Sequence, residues 1–189
     1  VDIQSLPLKP DVLIIGGGIV GISIAQALAR SGIHVTLLEK GKHPGGRALE
    51  LRKIYNRPEE VQSGIHALIS EVSENPLITL FTRTEIRRLD GHLGRFQAKV
   101  RRVDGTESIL SASAVVVATG YETRREKEGI YGHKRVIGLP QMEKLLSEST
   151  EATLQWEGKK VEMVTFLLDG VNEDIKIDSI NAIKQSLLL

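Results

Sequence analysis

Gly16, Gly18 and Gly21 stand in the spacing Gly-x-Gly-x-x-Gly, and Glu39 follows eighteen residues after the last of them. Each residue type suits one part of dinucleotide binding. Gly16 permits a tight turn, Gly18 leaves room for a pyrophosphate to approach the backbone, and Gly21 lets a helix pack closely on a strand. Ile19 and Val20 then fall in the first helical turn, where free N–H groups and the positive dipole end face a phosphate. Glu39, with Lys40 beside it, is an acceptor suited to the ribose hydroxyls of an adenosine.

Such residues work only if strand, turn, helix and second strand hold them. Val12 to Ile15 is a short apolar run, as expected of a strand buried on both faces. Ile22, Ala25, Gln26 and Ala29 recur at helical spacing, Ser31-Gly32 ends the helix, and Ile33 to Leu38 forms a second strand. A βαβ unit is therefore complete between Asp11 and Lys40. Residues 41–58 read as a loop, Pro58 to Val72 as a helix, and Leu77 to Phe81 as a third strand. Phe96, Ala98 and Val100 alternate with Gln97, Lys99 and Arg101, and Asp90-Gly91 and Asp104-Gly105 are turn signals. Together they predict an antiparallel meander of about three strands. Ala114 to Val117 reads as a fully buried strand, followed by a polar loop over 121–138 and a helix from Pro140 to Ser147. Lys160 to Leu168 reads as one more strand, and a last helix starts near Ile175 or Asp178.

The glycine motif serves FAD and NAD alike. Pro44-Gly45-Gly46-Arg47 and Ala118-Thr119-Gly120 resemble two motifs of the two-dinucleotide-binding-domain flavoproteins, in which the first runs along FAD and the second closes over it. The meander resembles the insertion those proteins carry, and Ile86 falls on its first strand, where backbone groups often grip the adenine edge. This resemblance favours FAD over NAD.

Gly91-His-Leu-Gly94-Arg-Phe96 and the run from Gly132 to Leu146 are similar to segments of the FAD-carrying A subunit of heterodisulfide reductases, as is Ala182 to Leu187. The resemblance implies an electron-transfer flavoprotein subunit working with iron–sulfur partner proteins. One departure is large: the chain has no cysteine, where the family commonly carries cysteine clusters. Carboxylates and hydroxyls do not replace thiolate ligands, so no iron–sulfur role carries over. By this reading, residues 1–150 form the FAD-binding domain. Residues 151–189 begin a truncated second lobe of the dinucleotide-binding kind.

Composition narrows the remaining classes. Absence of cysteine excludes disulfides, thiolate zinc sites and a redox dithiol within these 189 residues. A net charge of +1 gives no argument for nucleic acid or an anionic membrane, and no apolar run reaches the length of a spanning helix. A cytoplasmic setting is expected, and self-association stays open. Residues 83–102 hold seven basic and two acidic side chains, a face for an acidic partner or an ordinary solvated surface. The five histidines show no metal-ligand spacing, and no residue is assigned as catalytic. The expected fold is α/β: a Rossmann-like parallel sheet with a three-stranded antiparallel meander. The expected function is that of an FAD-binding oxidoreductase or a subunit for electron transfer. A nucleotide-binding scaffold without redox apparatus and an NAD-dependent dehydrogenase are the alternatives.

Overall fold

A computed structural model describes residues 11–51, 61–120, 132–148 and 154–167, with residues 180, 182–183 and 185–186 of a final helix. The chain divides into two compact units, Val1–Leu49 with Gly64–Tyr121, and Glu50–Ser63 with Glu122–Leu189.

The first unit is built on β1 (Asp11–Ile15), apolar at four successive positions. α1 (Ile19–Arg30) follows, then β2 (His34–Leu38), α2 (Val61–Glu74) and β3 (Ile78–Phe81). Helix α1 buries Ile22, Ala25, Gln26 and Ala29, the residues whose spacing predicted it. Gly32, at a φ of 77°, stops it: the Gly32 N–H donates to the Ala29 carbonyl and the Ile33 N–H to Leu28, satisfying the last carbonyls. The chain then enters a meander of β4 (Thr84–His92), β5 (Arg95–Arg102) and β6 (Glu107–Ala112), and returns to the sheet as β7 (Ala114–Val117). The parallel sheet runs in the order β3-β2-β1-β7, and the meander in the order β4-β5-β6.

Apolar residues on both faces of β1 are what this layering requires. On one face Ile14 packs with Val35, Leu37 and Ile78 against Ile22, Ala25 and Ala29 of α1 and Val72 of α2. On the other, Leu13 and Leu38 pack against Ala98, Val100 and Ala112 of the meander. The fold class and the meander are therefore as expected. The meander's outward face carries Glu85, Arg88 and Asp90 opposite Arg101, Lys99 and Gln97, with Glu107 beyond. Lys99 pairs with Glu107 at 2.6 Å, Arg88 with Asp90 at 2.7 Å and Arg87 with Glu85 at 3.6 Å. The Glu107 carboxyl is held below the usual glutamate range by the hydrogen bond from Lys99 and then by its charge.

Several expectations are corrected. The β4–β5 turn is Leu93-Gly94 rather than Asp90-Gly91; Gly91 lies within β4, opposite Phe96. The left-handed φ of 89° falls at Gly94, which glycine adopts without steric cost. The Asp104-Gly105 turn stands as expected, with Asp104 Oδ1 accepting the Thr106 N–H at 2.8 Å. β7 is not fully buried. It is the last strand of its sheet, and Val117 is 69% exposed. Arg83 joins β3 to β4 at a φ of 50°, a conformation that costs a non-glycine residue about 1 kcal/mol.

In the second unit, α3 (Leu139–Glu148) buries Met142, Glu143 and Leu146. Gln185 of the final helix donates through Nε2 to the Leu139 carbonyl at 2.9 Å and to Glu143 Oε2 at 3.1 Å. The strand expected over 160–168 is replaced by a two-residue hairpin, β8 (Gln155–Trp156) with β9 (Lys159–Lys160). Glu157 and Gly158, at φ values of 51° and 74°, make the kind of turn that matches strand twist. Residues 161–167 join no ladder among the described residues, so the strand expected there has no partner strand to pair with. Of the loop expected over 121–138, residues 121–131 lie outside the described residues, as do 52–60, where one expected loop ends and a helix begins, and the start of the last helix.

Burial separates two substitutions of similar chemistry. Ile14→Ala, fully buried between β2 and α1, is expected to lower the unfolding free energy by about 2–5 kcal/mol. Val117→Ala, at the exposed sheet end, is expected to change it by less than about 0.5 kcal/mol; urea denaturation measures both.

Candidate functional site: a glycine cradle beside Glu39

The site lies where β1 leaves the sheet. Gly16 has a φ of 110°, and its N–H donates to the Leu38 carbonyl at 2.8 Å. A Cβ on Gly16 would collide with the Ala118 carbonyl, and one on Gly21 with the Gly16 carbonyl. These two glycines are thus demanded by close backbone approach, as the spacing predicted. Gly18 differs: nothing lies within 4 Å of where its Cβ would be. It is the N-cap of α1 with no side-chain cap. The first intrahelical bond runs from the Ile22 N–H to the Gly18 carbonyl at 3.0 Å. The N–H groups of Ile19, Val20 and Gly21 therefore precede the helical ladder, and Ile19 and Val20 are exposed.

Glu39 closes one side. Its Oε2 accepts the Gly17 N–H at 2.9 Å and its Oε1 the Gly41 N–H at 2.5 Å. Its own N–H donates to the Phe81 carbonyl, and its carbonyl accepts the Thr84 N–H at 3.0 Å. The carboxylate is thereby oriented by the turn itself and by the start of the meander. Gly45 lies along the turn: its N–H donates to the Gly17 carbonyl at 2.7 Å, and Gly45 bridges Gly18 in parallel register. A Cβ on Gly46 would stand 3.2 Å from the Gly18 Cα. Ala118 continues β7 beside β1 through its N–H to the Ile15 carbonyl, and the Thr119 Cα lies 3.0 Å from a Cβ built on Gly16.

Gly16, Gly18, Gly21, Glu39, Gly45, Gly46, Ala118 and Thr119 are thus brought to one place. Lys40 is exposed, Arg47 is half-buried in the 3-10 helix Gly46–Glu50, and Gly120 is exposed at a φ of 70°. Ile86 is half-buried on β4, where it faces Val100. Val103 donates to the Arg83 carbonyl, so ladder alternation turns the Ile86 N–H and C=O away from β5, to the side where the Thr84 N–H meets Glu39. Two participants were missed. Gly17 has no space for a side chain, because a Cβ there would lie 2.9 Å from the Glu39 side chain, and Gly41 supplies the second N–H. The unbroken Gly16-Gly17-Gly18 run was the available signal for the former.

This fold and cradle define a Rossmann-like dinucleotide-binding lobe. Residues 14–83 match the model of the NAD(P)-binding Rossmann-like domain. Half of the chain is similar to the A subunit of the ferredoxin:CoB-CoM heterodisulfide reductase of Methanosarcina acetivorans, 35% identical over 99 residues that make up 12% of that protein. An Archaeoglobus profundus protein named as like the heterodisulfide reductase A subunit is 36% identical over 91 residues, 48% of this chain and 13% of that one. The resemblance to these proteins is borne out over that half, while the chain spans only about an eighth of their length. Among solved structures, L-proline dehydrogenase of P. horikoshii aligns with 58% of this chain and 22% of its own, at 26% identity and a TM-score of 0.51.

The geometry separates the glycines by role. Gly21→Ala is expected to lower stability by about 1–3 kcal/mol through overpacking, whereas Gly18→Ala changes it by less than about 1 kcal/mol. Equal losses in chemical denaturation would contradict the assignment of Gly21 to packing and Gly18 to ligand approach.

Proposed function

We propose that the chain binds FAD and works with iron–sulfur partner proteins as an oxidoreductase or electron-transfer component, after the manner of the heterodisulfide reductase proteins it resembles. The observation that carries this reading is the pairing of an open backbone face at Gly18 with a carboxylate fixed beside it at Glu39. The open N–H groups at the start of α1 suit the diphosphate. Glu39 suits the adenosine ribose, and its two N–H donors hold the carboxylate ready to accept. The outward peptide group of Ile86 suits the adenine edge. Gly45, Gly46 and Arg47 would extend the diphosphate side, and Ala118 to Gly120 the flavin side. When bound, the flavin supplies the redox chemistry. This chain's residues bind and orient it, since none in the cradle is a thiol or an acid placed to relay a proton.

FAD is preferred to NAD because Gly45 lies on the turn and Ala118-Thr119 against its back, as the two flavoprotein motifs require. Residues 1–150 would form the FAD-binding part and 151–189 the beginning of a second lobe, in a cytoplasmic protein. No helix among the described residues is long and apolar enough to cross a membrane. The absence of cysteine favours one second reading, a nucleotide-binding domain without redox work of its own.

Titration of the protein with FAD, followed by the visible absorbance and fluorescence of the flavin, tests the proposal. Saturable binding is expected, and Gly18→Val should weaken it by at least about 100-fold while leaving the circular dichroism unchanged. Binding of ADP without FAD would replace this reading with the second one. An unchanged affinity in Gly18→Val would remove the turn as a phosphate site.

A further inference from the structure

A cleft of about 430 Å³ opens at the carboxyl end of β3, lined by Leu80 to Arg83 and by Arg102 to Asp104. It shares no residue with the glycine cradle. Its size suits a small molecule. Two arginines, Arg83 and Arg102, both exposed, belong to its walls. Arg102 lies over Phe81, 5.3 Å from the ring centroid, so its long side chain rests against an apolar surface. Arg87, Arg88 and Lys99 of the meander are each paired with a carboxylate. Among the described residues neither Arg83 nor Arg102 has a carboxylate within ion-pair distance, although the Asp104 carboxyl is held below the usual aspartate range by its hydrogen bonds with Thr106 and then by the charge of Arg102.

The backbone at Arg83 adds a second, independent observation. Its φ of 50° is one that L side chains rarely adopt. The hydrogen bonds that hold it there use only backbone atoms: its N–H donates to the Gly41 carbonyl at 2.9 Å, and its carbonyl accepts the Val103 N–H at 3.0 Å. Glycine would make both bonds without strain. A strained arginine on the wall of a cleft is the pattern of a residue kept for its side chain.

We propose that this cleft binds the oxyanion of a small ligand, a phosphate or a carboxylate, with Arg83 and Arg102 as its partners. Guanidinium groups recognise both through paired N–H donors. Asp104 opposes the anion from the same wall, while its Oδ1 is committed to the Thr106 N–H at 2.8 Å. Replacing it with asparagine keeps that acceptor and removes the charge.

Backbone amide shifts of the full chain, titrated with inorganic phosphate and separately with acetate, provide the test. The Gly18→Val background removes competition from the glycine cradle. Saturable shifts at Arg83 and Val103 are expected with one or both anions, and the responding anion identifies the oxyanion. Arg83→Gln and Arg83→Gly should each weaken binding at least about tenfold. Arg83→Gly should meanwhile leave the melting temperature within about 2 °C, because the relieved strain and the freedom glycine adds to the unfolded chain nearly offset, showing that the loss is not unfolding. Asp104→Asn should tighten binding about two- to threefold. No saturable shift with either anion, or full affinity in Arg83→Gly, overturns the proposal. Titration of Arg83→Gln, whose glycine cradle is intact, with ADP reads the dinucleotide site separately, so the two readings fail independently.

Discussion

Three backbone segments meet around Gly16 with no side chain between them, and the first unit depends on that approach. The Gly16 carbonyl lies where a Cβ on Gly21 would be, and the Ala118 carbonyl lies where one on Gly16 would be. Strand β1 can therefore turn into α1 while β7 closes alongside. The same approach leaves the outer side of the turn bare at Gly18. Packing and ligand access are thus two faces of one constraint, and the Glu39 carboxylate ties them by accepting the Gly17 N–H between them.

That constraint explains which parts were legible beforehand. Residues forced by sterics leave a mark at fixed spacing, so Gly16 and Gly21 could be read without coordinates, and Gly18 and Glu39 were legible from their places in the same motif. The helix and strands of the βαβ unit were equally legible, because burial on both faces of β1 and on one face of α1 writes a pattern into neighbouring residues. Gly41 was not legible. Its part is played by a backbone N–H, which every residue but proline possesses. Arg83 was hidden for the same reason, since no side-chain pattern marks a left-handed φ at an arginine.

The misreadings came from signals that were real locally and decided elsewhere. Asp90-Gly91 has turn chemistry, yet the ladder of β4 with β5 runs through both residues to Leu93-Gly94. Residues 160–168 have strand chemistry, yet the hairpin at Glu157-Gly158 takes the pairing at the start of that run. The run of basic residues over 83–102 divides similarly. Its outward members meet Glu85, Asp90 and Glu107, which makes much of the meander a mixed-charge surface of the kind that contributes little to stability. Arg83 and Arg102 stand apart from it, at the end of β3.

The apolar character of β1 on both faces carries a consequence for strand register. In a sheet with one polar face, a slip of a single residue drives polar groups inward and is rejected by desolvation. Between β1, with Leu13 and Ile14 on opposite faces, and β7, with Val115 and Val116 likewise, such a slip merely exchanges one aliphatic side chain for another. Hydrophobicity is almost blind to it. What distinguishes the correct alignment is the glycine turn, because only there does the Ala118 carbonyl fall where Gly16 carries no side chain. The turn that leaves Gly18 bare is thus also the index mark of the sheet, so a chain with no ligand there would still have reason to keep Gly16.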